Sequence, residues 1–219
     1  MNGELQVRDL GRRPYGPVME LQERLVADRL ARRVPDTLIL VEHDRVYTLG
    51  RNADEGNVVA APAALKDAGI EIVRTTRGGD VTYHGPGQIV GYPILDLRAR
   101  GEGAVEYVGC LEEVLIRLLA EYGIEGQRDR ANRGVWVGRE KVAALGVRVT
   151  RGITMHGFAL NVTVDLQPFG GIIPCGIRGR GVTSMARLVP GVTVESVKPR
   201  LIEQFRIVFR YQGEQDTRN

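Results

Sequence analysis

The chain has 219 residues, 43% hydrophobic and 26% charged, with a formal net charge of +3, an ordinary balance for a globular protein whose core needs no disulfide or metal staple. Few aromatic residues and no Lys/Arg block of five or more argue against nucleic-acid binding. No run reaches the ~20 apolar residues of a membrane helix, and Met1 to Arg13 has no apolar signal-peptide core. A cytoplasmic protein is therefore expected. The two cysteines, Cys110 and Cys175, lack CxxC or zinc spacing, which fits a reducing compartment and a thiol free for chemistry.

In chain order, Leu5 to Leu10 alternates apolar and polar residues as a half-buried strand does. Gly16 to Val34 carries a helical stripe (Val18, Leu21, Leu25, Leu30) that Pro35 closes. Thr37 to Glu42 is a short apolar run of strand formers, a buried strand by composition. Pro62 to Ala68 reads as a short helix ended by Gly69, and Ile70 to Val73 as a strand entering a glycine-rich loop at Arg77 to Gly87. Gln88 to Leu97 is a further strand, in which Pro93 predicts a bulge or an edge position.

Gly103 to Tyr122 is the longest helix, with Val108, Leu111, Val114, Leu115, Leu118 and Tyr122 as its stripe. Gly134 to Val137, Lys141 to Val149 and Met155 to Val164 read as three successive strands. Asp165 to Gly181 is Gly/Pro-rich loop, and a last helix runs from Lys198 to Tyr211 with Pro199 in its first turn. The polar tail after Gly213 is expected to fray. Grouped strands interleaved with helices predict an α+β class, in one domain spanning residues 1 to 219.

Four short pieces carry candidate chemistry. Arg77-Gly-Gly-Asp-Val-Thr-Tyr-His-Gly-Pro-Gly-Gln88 lets backbone approach a ligand closely and offers polar groups to orient it; a plain glycine hairpin is the other reading. Pro174-Cys175-Gly176 places a cysteine on a loop, where sulfur is accessible and flanking N–H groups can face an oxyanion, although loop cysteines are commonly structural. Cys110, on the flank of the long helix, reads as a small packing residue. Lys141 is one of only three lysines, with Lys66 and Lys198. In a chain that otherwise uses arginine it can supply an amine able to act as a base, or be a solvated strand-edge residue. His156 and His84 could each pair with a thiolate or serve as loop hydrogen-bonders, and His43 has the weakest case. Arg178 to Val182 is similar to a ligase phosphate loop but sits too late in the chain.

Arg77 to Gln88, Lys141 to Gly146, His156 to Asn161 and Pro174 to Gly176 fall in an order and spacing that resembles the lipoyl(octanoyl) transferase family. With their surroundings they cover most of Leu38 to Met185. The resemblance implies a mixed β-sheet flanked by helices, the fold of biotin and lipoate protein ligases, with an acyl-binding tunnel. It implies a catalytic Cys175–Lys141 pair and acyl-binding segments at Arg77, Gly78, Gly79, Asp80, Val81, Thr82, Tyr83 and His84, at Ala144, Leu145 and Gly146, and at Gly157, Phe158 and Ala159. Asp80 occupies the loop's variable position.

The implied activity moves an octanoyl or lipoyl group from octanoyl-acyl carrier protein through a cysteine thioester to a lysine. The implied acceptors are lipoyl domains of 2-oxoacid dehydrogenase complexes and the glycine cleavage H protein. No cofactor, metal, nucleic acid or membrane is implied. An ATP-dependent lipoate–protein ligase on the same fold, or a non-catalytic acyl-binding protein, are the alternatives.

Overall fold

The structure, a computed structural model, describes residues 4–129, 131–173 and 180–211. Strand β1 (Leu5–Arg13) leads through helix α1 (Tyr15–Leu30) to β2 (Asp36–His43), and the two strands pair in parallel. Beyond β2 the sheet continues antiparallel through β6 (Gln88–Ile94), β10 (Ile153–Asn161), β9 (Glu140–Thr150), β8 (Val135–Val137) and β7 (Gln127–Arg128). A two-residue strand, β11 (Gly181–Val182), lies parallel beside Glu140 and Lys141 at the start of β9. A smaller sheet places β3 (Val46–Leu49) between β4 (Glu71–Arg74) and β5 (Val81–His84).

Helices cover both faces of the large sheet, and the period-2 alternation of its central strands makes that possible. Leu38 and Leu40 of β2 pack with α4 (Ala104–Glu121) and α6 (Val194–Val208) around Leu111, Leu115, Leu118, Leu201 and Phe205. Ile39 and Val41 turn to the other face, against Val18 and Leu25 of α1. The small sheet has a core of its own, with Tyr47, Val81, Tyr83 and Phe169 at its centre. This is the mixed, helix-flanked sheet anticipated from the sequence.

The expectations differ at particular points. Helix α1 stops at Leu30, because the chain turns left-handed at Arg32 (φ 58°), so Pro35 lies beyond the end rather than making it. Strand β6 is interior, flanked by β2 and β10, so Pro93 is not at an edge. It is tolerated because pairing with β10 ends at Gly91. Beyond that point, Thr154 Oγ1 donates to the Pro93 carbonyl and the Leu95 N–H donates to Thr154 Oγ1. Helix α6 begins at Val194, capped by Thr193 against Ser196 at 3.2 Å, so Pro199 lies in its interior and not in the first turn. In the glycine-rich segment Val81–His84 forms β5, where a loop was expected. On α4, Val108 and Tyr122 are only partly buried, and Tyr107 and Leu119 complete its stripe.

Among the described residues no helix is long and apolar enough to cross a membrane. Nor does any group of three or more His, Cys, Asp or Glu among them have the arrangement to hold a metal ion.

Candidate active site

A cavity of about 460 Å³ opens between the glycine-rich segment and the large sheet, within the ~300–1,000 Å³ range of small-molecule sites. Its floor is made by neighbouring stretches of two strands. Ala144, Leu145 and Gly146 of β9 pair with Ala159, Phe158 and Gly157 of β10, and all six line the cavity. Its roof is Arg77, Gly78, Gly79, Asp80, Val81, Thr82 and His84. The roof is fastened to the floor, since the Gly78 N–H donates to the Val147 carbonyl at 3.0 Å. That approach explains the glycine facing it: a Cβ on Gly146 would lie 3.0 Å from Gly78 O and 3.1 Å from Arg77 Cδ.

Arg77 is 8% exposed. Its guanidinium donates to the Thr48 carbonyl (2.5 Å), Thr48 Oγ1 (2.9 Å) and Gly78 O (3.0 Å), pinning the roof to β3. Asp80 anchors the far side of the roof, accepting from Asn57 Nδ2 at 2.6 Å and from the Asp54 N–H at 3.3 Å. Tyr83 does not join the lining. Adjacent strand residues point to opposite faces, and its ring packs edge-on against Tyr47 and Phe169 in the small sheet's core.

One end of the cavity carries Lys141, on β9. Its ammonium donates to the Arg133 carbonyl at 3.1 Å and sits 4.8 Å from the centre of the Trp136 ring. Of the other two lysines, Lys66 is exposed on α2 (Pro62–Asp67) and Lys198 pairs with Asp9 at 3.1 Å. Cys175 lies outside the described residues. Phe169 and Val182, on either side of it in sequence, both line the cavity.

The other end is a buried polar cluster. His156 is opposite Val147, six residues along β9 from Lys141, or about 20 Å at strand rise. Here Tyr15, His84, Tyr92 and His156 line the wall, with His43 behind them. The hydrogen bonds fix two tautomers. His84 Nδ1 must donate to Gln88 Oε1 (2.7 Å), so its Nε2 accepts from Thr48 Oγ1 (3.2 Å). His43 Nδ1 donates to the Arg13 carbonyl (3.1 Å), so its Nε2 accepts from the Tyr92 hydroxyl (2.8 Å).

His156 occupies a left-handed position (φ 60°) within β10; its N–H donates to Gln22 Oε1 of α1 at 3.0 Å, and its Nε2 is 3.0 Å from Thr76 Oγ1. Burial is the chief force on all three rings. It lowers His43 to about 4 and both His84 and His156 to about 3, with the Arg77 charge adding to the last two. Near neutral pH these histidines are uncharged, and burial keeps the Tyr15 and Tyr92 hydroxyls protonated. Histidine is thus a hydrogen-bonding wall here rather than a ready acid.

Sequence reasoning passed over Tyr15, Tyr92, Arg133 and Trp136. None belongs to a short motif, and the one hint was that Trp136 is the chain's only tryptophan. Cys110 is partly buried against the α4 core, and burial pushes its thiol up, as befits a packing residue.

Residues 14–206 match the model of the lipoyl protein ligase A/B catalytic domain. An octanoyltransferase of Acidobacterium capsulatum is 49% identical over 95% of this chain and 91% of its own length. Among solved structures, the bi-partite lipoate protein ligase of Thermoplasma acidophilum superposes with a TM-score of 0.71 at 18% identity, over 96% of this chain and 84% of that one. The biotin protein ligase of Aquifex aeolicus gives 0.53 at 12% identity, over 96% and 70%. At such identities the two structures establish a shared fold. The family match and the relative together establish more: the chain belongs to the lipoyl protein ligase A/B catalytic domain family, as an acyltransferase of protein lipoylation.

Proposed function

We propose that residues 1 to 219 form one catalytic domain that moves an octanoyl group from octanoyl-acyl carrier protein, through a thioester on Cys175, to a lysine. The acceptors are lipoyl domains of 2-oxoacid dehydrogenase complexes and the glycine cleavage H protein. The observation that carries this is the position of Lys141, the one lysine of three at the cavity, at the end of an apolar floor built from β9 and β10. Fourteen residues other than Cys175 and Tyr83 carry the proposed site: Lys141 in catalysis, and Arg77 to Thr82, His84, Ala144 to Gly146 and Gly157 to Ala159 in acyl binding.

The chemistry balances without ATP. The Cys175 thiolate attacks the carrier thioester, the tetrahedral oxyanion collapses, and the phosphopantetheine thiolate leaves with a proton. The acceptor's ε-amine then attacks the acyl-enzyme, an amide forms, and the cysteine thiolate is released. Lys141 serves both halves. As an ammonium it favours the attacking thiolate, and as an amine it takes the proton that the nucleophile loses. The apolar floor contributes by burying the alkyl chain, at about 0.8 kcal/mol per methylene.

The test is transfer to an apo lipoyl domain from octanoyl-carrier protein with no nucleotide present. Wild type is expected to acylate the domain, while Lys141→Ala and Cys175→Ala fall by at least about 10²-fold. Acylation that required ATP and free octanoate would replace this account with that of a ligase.

A further inference from the structure

At the lysine end of the cavity, one peptide group joins two charges. The N–H of Gly134 donates to Glu112 Oε1 at 3.3 Å. The carbonyl of that same peptide, belonging to Arg133, accepts from Lys141 Nζ at 3.1 Å. The rest of the peptide is pressed against the lysine stem: a Cβ on Gly134 would lie 3.2 Å from Lys141 Cε and 3.3 Å from Cδ.

Glu112 is an unusual group to find beneath it. It lies on the buried stripe of α4, 1% exposed, among leucines and valines. Among the described residues its second oxygen accepts no hydrogen bond and instead faces Arg128 Nε and Arg133 Nη1, each at 3.6 Å. Burying a carboxylate with such long ion pairs is unfavourable. A glutamine would accept from Gly134 equally well, so the charge goes beyond what the hydrogen bond to Gly134 requires.

The other charged groups around this end come from the segments on either side. Arg128 also pairs with Glu113 at 2.6 Å. Arg180 pairs with Asp129 and stacks 4.6 Å from the centre of the same Trp136 ring that Lys141 touches. Trp136 is itself held by its Nε1 donating to the Asn132 carbonyl at 3.0 Å.

We propose that Glu112 is a positioning residue for the transfer reaction. It orients the 133–134 peptide that holds Lys141, and its charge, transmitted through that peptide, raises the lysine's hold on its proton. The inference rests on Lys141 handling the proton, as set out above. A peptide polarised at its N–H is a stronger acceptor at its carbonyl. Across such a bridge, with an effective dielectric constant of about 20, the charge shifts the ammonium's titration by on the order of one pH unit.

The experiment is the pH profile of kcat/KM for octanoyl transfer by wild type, Glu112→Gln, Glu112→Ala, Arg128→Gln and Lys141→Ala. Glu112→Gln keeps the acceptor for Gly134 and removes the charge, so its profile moves to lower pH by on the order of half to one unit. Arg128→Gln removes a neighbouring cation from a half-exposed position, and its profile moves to higher pH. Glu112→Ala loses kcat by tenfold or more, a loss that glutamine restores.

Should Glu112→Gln fail to fold, Glu112→Asp takes its place: it keeps the charge and shortens the reach to Gly134, so kcat is expected to fall while the profile stays at the wild-type pH, and a wild-type kcat would overturn the positioning role. Profiles coincident with wild type, in enzyme that Lys141→Ala inactivates, would overturn the role of Glu112 and leave that of Lys141 standing. Full activity in Lys141→Ala would instead remove the assignment of Lys141 on which the inference depends.

Discussion

Lowering the pH from 7.5 to 5.0 is expected to destabilise this protein by several kcal/mol, through histidines that cannot accept protons while folded. His43, His84 and His156 are all of the histidines in the chain, and all are 5% exposed or less. Their folded pKa values lie at about 4, 3 and 3, below the 6.5 of an unperturbed ring. The unfolded chain therefore binds protons first. The stability these rings contribute is complete above about pH 6.5 and is lost as the pH falls toward 4 and 3.

At pH 5.0 an unfolded ring is almost wholly protonated and a folded one almost wholly neutral, which costs about 2 kcal/mol per histidine and ~6 kcal/mol for three. The result is insensitive to whether a folded value is 3 or 4, since both lie well below 5. Against a net stability of ~5–15 kcal/mol the loss is large. Urea unfolding at pH 7.5, 6.0 and 5.0 measures it, and a His84→Gln variant should flatten the dependence by about one third. A change of less than ~1 kcal/mol across that range would refute burial of the three rings as neutral groups.

Gly146→Val pushes a branched side chain toward Gly78 O and the Arg77 stem, 3.0–3.1 Å from where its Cβ must sit. It should lift the roof and lower kcat/KM by about 10²-fold with little loss of α-helix signal, as steady-state assays and circular dichroism would reveal. Lys141→Arg keeps a cation and loses the capacity to act as a base, so it should remain about as inactive as Lys141→Ala; recovery of activity would assign Lys141 a purely electrostatic role. Asp36, 7% exposed, accepts from Arg29 Nε (2.7 Å), the Asp96 N–H (3.1 Å) and the Tyr211 hydroxyl (2.6 Å). Tyr211→Phe should therefore cost about 1–3 kcal/mol in urea unfolding without changing kcat.

The large sheet was legible because its strands are apolar runs whose alternate residues serve two helical layers, as Leu38 to Val41 show. Strand β5 was not, because a four-residue strand among glycines has too short a period to register. The end of α1 depends on a left-handed Arg32, which leaves no hydrophobic signature; the start of α6 was hidden by Pro199, although Val194 and Val197 extend the buried stripe of Leu201 and Phe205 back to the Thr193–Ser196 cap. The stretches that line the cavity were legible because each is a contiguous motif, Arg77 to Thr82 with His84, Ala144 to Gly146 and Gly157 to Ala159, whereas Tyr83 within the first turns to the small sheet's core.

What those motifs could not convey is who meets them. Tyr15 comes from the start of α1 and Tyr92 from β6, and they reach His43, His84 and His156 only through tertiary packing. Glu112 reads along α4 as one more polar residue, and its link to Lys141 exists only once the chain folds back through Gly134.

The most direct measurement is the intact mass of the protein after incubation with octanoyl-carrier protein in the absence of ATP, followed by peptide mapping. A single octanoyl adduct is expected on the peptide containing Cys175, released by hydroxylamine and transferable to an apo lipoyl domain. An unmodified Cys175 in enzyme that still acylates the acceptor would contradict it.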